Sequence, residues 1–148
     1  MALRGLGVIP VLVAANDLVA SIVSVPGLSM QPTLGGEQEA AGERVLVVKN
    51  FGRSKLQRHD VVTFTSPTTQ STAIARLKHF DGELAKLSLQ KAGRGFGRLV
   101  HVPPGKCWVE SDNHDAHHDS RDFGPIPAAL LEGKVVAVVW PPSRARWI

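Results

Sequence analysis

The sequence predicts an all-β domain behind an N-terminal membrane helix, and three observations point there. An apolar run opens the chain, from Leu6 to Val25. Short β-type runs follow, each bounded by turn residues, at the spacing of a sandwich or barrel rather than of alternating strands and helices. Near the end stands Val135–Trp140, VVAVVW, a continuous apolar run that reads as a central strand. A chain of 148 residues suffices for one such domain with one core. The expected division is an anchor at residues 1–25 and a β domain at 26–148.

Taken in order, Leu6–Val25 is twenty residues, about 30 Å as a helix and enough to cross a bilayer. Its eleven Leu, Ile and Val residues contribute roughly −5 kcal/mol to insertion, against about +2.5 to +3.5 for Asp17 near the middle. Pro10, Asn16, Ser21 and Ser24 also pull against insertion. A buried or interfacial helix, or a cleavable signal peptide, reads from the same residues. An acidic side chain at membrane depth faces protein or water rather than lipid, so Asp17 predicts a helical partner within the bilayer. Gly35–Gly42 is polar and reads as a surface loop. Strands are expected at Arg44–Lys49, Asp60–Thr65, Ser71–Phe80, Leu99–Val102, Cys107–Glu110 and Val135–Trp140, with one helical turn over Ala128–Glu132. Gly93–Gly97 has the glycines of a phosphate loop but no strand–loop–helix around it, and reads as a hairpin tip.

Composition narrows the function classes. Net charge is +4, with basic patches at 91–98 and 144–146, a balance that suits nucleic acid or an anionic membrane. No basic motif is interleaved with aromatics, so no nucleic-acid partner is expected. Tyrosine is absent and aromatics are 5%, which makes the core aliphatic. Cys107 stands alone, excluding an internal disulfide and disfavouring zinc. His114, His117 and His118 among Asp112, Asp115 and Asp119 invite a metal reading. No distant ligand completes it, so the span reads as a polar loop and neither metal nor cofactor is expected.

The chemistry gathers at Val25-Pro26-Gly27-Leu28-Ser29-Met30-Gln31-Pro32-Thr33-Leu34. Gly27 opens backbone angles closed to other residues, and Pro32 fixes its own φ and pushes Gln31 toward extended geometry. Ser29 therefore cannot slide into a helix, and its hydroxyl projects from a fixed bend. A nucleophile is presented in this way, and an ordinary Gly/Ser/Pro turn has the same look. Further along come Arg58-His59-Asp60-Val61-Val62, Asp81-Gly82-Glu83, Trp108-Val109-Glu110-Ser111-Asp112-Asn113, Asp119-Ser120-Arg121-Asp122-Phe123-Gly124-Pro125 and Trp140-Pro141-Pro142. The set resembles, in order and over about residues 8–147, the motifs of signal peptidase I and its mitochondrial relatives, the inner-membrane proteases, and the ending is similar to their second subunit type.

That resemblance implies a mainly antiparallel β domain on a membrane helix, in the mitochondrial inner membrane with the β domain facing the intermembrane space. It implies Ser29 as nucleophile, with Gly27, Met30 and Pro32 in the substrate and oxyanion region and Asp119 and Arg121 in support. A structural ion pair or loop anchor is an equally good reading of those last two.

A serine hydroxyl needs a base to take its proton, and the family pattern uses lysine. The family keeps that lysine in Lys-Arg-Val/Ile, eight positions before the acidic residue that closes its Gly-Asp turn. Counting back from Glu83 of Asp81-Gly82-Glu83 gives Ala75-Arg76-Leu77, with alanine where the lysine belongs. On a strand Ala73, Ala75, Leu77 and His79 share one face, while Arg76 and Lys78 point to the other. Lys78 lies on the wrong side unless a bulge intervenes, and His79 is about 13 Å along the strand. Ser111 and His59 replace family glycines, and His117 replaces a usual serine. Two classes of function follow: a degenerate protease kept as a structural or binding subunit, or an active serine endopeptidase that removes sorting sequences with another base. Ala75 favours the first. The discriminating feature is a Lys or His nitrogen within hydrogen-bond reach of Ser29 Oγ.

Overall fold

A computed structural model describes residues 20–25, 27–35, 42–49, 56–80, 84–87, 98–115 and 118–148. The first described segment departs from expectation. Ala20–Ser24 is a strand (β1) rather than the end of a helix, and it pairs antiparallel with Arg44–Val48 (β2), Ala20 opposite Val48 and Ser24 opposite Arg44. Ile22 and Val23 are β-branched and fit a pleated edge, and the partner strand supplies backbone bonds that no local signal announces. The rest of the expected anchor, Asp17 included, lies outside the described residues. Among the described residues no helix is long and apolar enough to cross a membrane.

The strands expected from the sequence form, five of them with ends shifted by a single residue, and three short strands that were not expected join them at Leu84–Leu87, Ile126–Pro127 and Arg146–Trp147. They are Val61–Thr65 (β3), Thr72–His79 (β4), Leu84–Leu87 (β5), Arg98–His101 (β6), Lys106–Glu110 (β7), Ile126–Pro127 (β8), Leu131–Trp140 (β9) and Arg146–Trp147 (β10). The main sheet runs β1-β2-β9-β3-β4-β7-β8, with β10 on β9, and every pairing in it is antiparallel; β5 and β6 make a separate hairpin. The apolar run near the end is central, as its composition requires, flanked by β2 and β3. It starts four residues earlier than expected, because the helical turn is only a 3-10 turn over Ala128–Leu130 and Leu131 already pairs with Phe64. At Gly133 a Cβ would fall 2.2 Å from Val47 Cγ1, so only glycine lets β2 and β3 flank β9 this closely. One short helix, Ser120–Phe123 (α1), is capped by Asp119.

Alternation along β3 and β4 divides the core. One face sends Val61 and Ile74 to a cluster with Val45, Val47 and Val135, into which Met30 and Leu34 of the serine loop also plug. The other sends Val62, Phe64, Ala75 and Leu77 to a second cluster with Leu56, Cys107, Val109 and Ile126. The core is aliphatic, as composition demanded, with Phe64 its largest fully buried side chain. At about 1.5–3 kcal/mol per fully buried Val, Leu or Phe, these clusters fix which face of β4 meets the serine loop.

Candidate active site

The serine loop is fastened at both flanks of Ser29. Gly27 takes φ +75°, the left-handed value the sequence reserved for it, and no atom lies within 4 Å of where a Cβ would stand. Met30 and Leu34 are fully buried, so they peg the loop to the core while Ser29 between the pegs and the glycine stays half-exposed. Asn113 then holds the backbone: its N–H donates to Ser29 O at 2.9 Å and its Nδ2 to Leu28 O at 3.0 Å. Sequence reasoning quoted Asn113 within a motif but assigned it no role.

Beside the loop runs a groove of about 510 Å³. Its walls are Ser29 with Gly27 and Leu28, the β3–β4 turn at Ser66, Thr69 and Ser71, Ala73 and Ile74 of β4, and Ser111, Asn113, Asp115 and His118. The site residues expected from sequence divide here. Gly27 and Ser29 line the groove, whereas Met30 serves the core and Pro32 is an exposed part of the turn. Ala75 is 1% exposed and enclosed by the second apolar cluster. A register shift does follow Leu77 on β4, yet neither Lys78 nor His79 lines the groove. His118 and Asp115 do line it, both exposed. Among the described residues no Lys or His nitrogen hydrogen-bonds Ser29 Oγ. His117 lies outside the described residues, as do Asp81, Gly82, Glu83 and Gly93–Gly97.

Two arginine–carboxylate pairs brace the groove. Arg76 lies on the β4 face opposite Ala75, as alternation predicts. Its Nε donates to Asp112 Oδ1 at 2.7 Å and its Nη2 to Oδ2 at 2.5 Å. The same guanidinium reaches Thr33 Oγ1 at 3.3 Å and His59 O at 2.8 Å, so it ties the serine loop, the β4 strand and two other loops together. The hydrogen bond to Asp112 raises the Arg76 pKa, more than burial lowers it. Burial pushes the Asp112 carboxyl up, but hydrogen bonds from Arg76 and Thr33 with the charges of Arg76 and Lys78 outweigh it and hold the group below the usual aspartate range.

A depressed folded pKa gives stability that is present at neutral pH and lost as pH falls. Protonating Asp112 should therefore loosen the site progressively below about pH 4, the ordinary aspartate range. Urea stability measured against pH should show a steeper acid limb in the native chain than in Asp112→Asn, which has no carboxylate to protonate there. Equal slopes would remove this pair from the account of acid sensitivity.

The second pair is Asp119 with Arg121. Asp119 is fully buried; its Oδ2 accepts from Ser111 N at 2.8 Å and its Oδ1 from Arg121 N at 2.9 Å. Arg121 Nε and Nη2 close on the same carboxylate at 2.9 and 2.5 Å, and that hydrogen bond is the first cause of the raised Arg121 pKa. The structure thus brings the two residues together as a loop anchor. The departures from glycine also acquire a physical meaning. His59 sits at φ +74°, a left-handed value that a glycine accepts without strain and a histidine does not. Ser111 needs no such angle, so a side chain there is free of backbone strain. Among the described residues no group of His, Cys, Asp and Glu side chains is arranged to hold a metal ion.

Comparison with known proteins adds the following. The family model described as "Signal peptidase, peptidase S26" matches residues 75–140. Mitochondrial inner membrane protease subunit 2 of Danio rerio is 36% identical over 92% of this chain and 73% of its own length. The Saccharomyces cerevisiae subunit 2 is 37% identical over 92% of this chain and 77% of its own length. Mitochondrial inner membrane protease subunit 1 of Xenopus tropicalis is 32% identical over 86% and 73%. A solved signal peptidase I from Enterococcus faecalis matches with TM-score 0.44 and 24% identity, over 54% of this chain and 96% of that one.

Proposed function

The chain belongs to the signal peptidase family, peptidase S26, and from that premise we propose that it is a pseudoenzyme: a non-catalytic binding subunit of a mitochondrial inner-membrane protease. Its place is the mitochondrial inner membrane. One observation carries the reading. The position from which the family's lysine would serve the serine holds Ala75, sealed among Val62, Phe64, Leu77 and Val109, and among the described residues no lysine lines the groove to replace it. Unassisted, the Ser29 hydroxyl is a weak nucleophile, and losing a general base lowers rate by typically 10²- to 10⁴-fold. The groove and its braced loop remain, and they suit holding an extended peptide without cutting it. In this reading the segment before Ala20 anchors the chain, Asp17 meets a helix of a partner subunit, and the β domain faces the intermembrane space.

A second reading has its own observation. His118 and Asp115 line the same groove as Ser29, and an imidazole is a competent base for a serine. The experiment that separates the two uses the full chain, purified with its partners in mild detergent, and a synthetic inner-membrane sorting peptide. The expected result is saturable binding of the peptide with no cleavage that depends on Ser29. Turnover abolished by Ser29→Ala would overturn the pseudoenzyme reading, and its further loss in His118→Ala would name the base.

A further inference from the structure

A buried carboxylate outside the groove holds the serine loop at both ends. Glu43 is 3% exposed. Its backbone O accepts from Val25 N at 2.8 Å where the chain enters the loop, and its Oε2 accepts from Gly35 N at 2.9 Å where the chain leaves it. The entry and exit converge tightly, since a Cβ on Gly35, itself at φ +84°, would lie 3.3 Å from Gly27 O. Oε1 of Glu43 makes no hydrogen bond; it meets Arg144 Nε at 3.1 Å and Arg146 Nη1 at 3.8 Å as ion pairs. Arg146 also donates from Nη2 to Thr33 O, within the loop. Both arginines come from the C-terminal segment, which is fastened by β10 on β9 and by Ile148 N donating to Val136 O at 3.0 Å.

A carboxylate withdrawn from water stays ionised only beside compensating charge and donors. Here the charge arrives from residues more than a hundred positions along the chain, and the donor is the last amide of the loop. Neither Glu43 nor the arginines touch the groove. They act on it through Thr33, between the Met30 and Leu34 pegs, and through Gly35, the residue just beyond them.

We infer that Glu43 is a positioning residue for Ser29, with Arg144 and Arg146 as its counter-charges, so that the C-terminal segment sets where the serine loop stands against the groove. The consequence for peptide binding rests on the proposed function; the positioning itself does not. Hydrogen exchange on the full chain in detergent, read by mass spectrometry, tests it. In Glu43→Ala the amides of residues 27–35 should exchange roughly 10- to 100-fold faster, the loss of a hydrogen bond to a charged group, while β3 and β9 keep native protection. Glu43→Gln retains an acceptor for Gly35 and should recover most of that protection. A fluorescein-labelled sorting peptide should bind Glu43→Ala at least tenfold more weakly and Glu43→Gln within about threefold of native, an order set by the bond's size.

If the Ala variant does not fold, Arg146→Gln leaves Glu43 paired to Arg144 and should loosen residues 33–35 alone. An unchanged loop, or exchange raised uniformly through β2, β3 and β9, overturns the inference. If the native chain binds no peptide, the binding-subunit reading fails on its own, and the exchange pattern still decides the role of Glu43.

Discussion

On the proposed pseudoenzyme reading, Ala75→Lys should give a chain that cuts a sorting peptide through Ser29, with a gain of about 10²- to 10⁴-fold over the parent. The site is prepared for a neutral amine. Ala75 is enclosed by Leu56, Val62, Phe64, Leu77 and Val109, and an ammonium placed there loses its hydration. Desolvation disfavours the charged form of lysine and lowers its pKa, which is what a base for a serine requires. Neighbouring Ala73 lines both that face of β4 and the groove, so a long side chain rooted at position 75 has the strand face along which to reach. The added volume costs about 1–3 kcal/mol in a packed core, which folding must tolerate. Cleavage should vanish when Ser29→Ala is combined with Ala75→Lys. Ser111→Gly and His117→Ser in the same chain remove two further departures from the family pattern. A folded triple variant that cuts nothing would remove the alanine at position 75 as the ground for the proposed inactivity.

The β4 strand shows how much of this was legible in the sequence. A period of two places Ala73, Ala75 and Leu77 on one face and Arg76 on the other, and the structure divides them that way. Short periodic runs and their breakers are local properties, so strands β2 to β4, β7 and β9 were readable to within a few residues. The apolar run before Val25 was not readable in the same way. Ala20–Ser24 carries β-branched residues and serines that suit an edge strand, but the bonds that decide come from Arg44–Val48, and no local pattern announces a partner that far away.

The groove divides along the same line. Ser29 and Gly27 were legible because glycine and proline constrain the backbone where they stand. Arg76 with Asp112, and Glu43 with Arg144 and Arg146, join residues separated by 36 positions or more, and single charged residues carry no sign of such distant partners. His59 gave a signal in hindsight: a turn between Arg58 and Asp60 wants a left-handed residue, and that is the angle found.

Asp119→Ala should be among the most destabilising single changes outside the apolar clusters, at about 3–5 kcal/mol. The carboxylate is fully buried and satisfies three groups at once: the amide of Ser111, the amide of Arg121 at the start of α1, and the Arg121 guanidinium. Its removal strands the Ser111 amide without an acceptor, deletes an N-cap that is worth about 1 kcal/mol, and takes from the half-buried Arg121 guanidinium the carboxylate it closes on. Arg121→Ala should cost clearly less, because Asp119 keeps both backbone donors, one of them the capping bond. Asp119→Asn should fall between them, since the amide retains one acceptor oxygen but turns its own donors toward Arg121. Urea unfolding of the three variants at neutral pH gives the order directly. Loss of less than about 1 kcal/mol in Asp119→Ala would mean that the 111–121 loop is held by something other than this carboxylate, and with it the wall of the groove that carries Asn113 and His118.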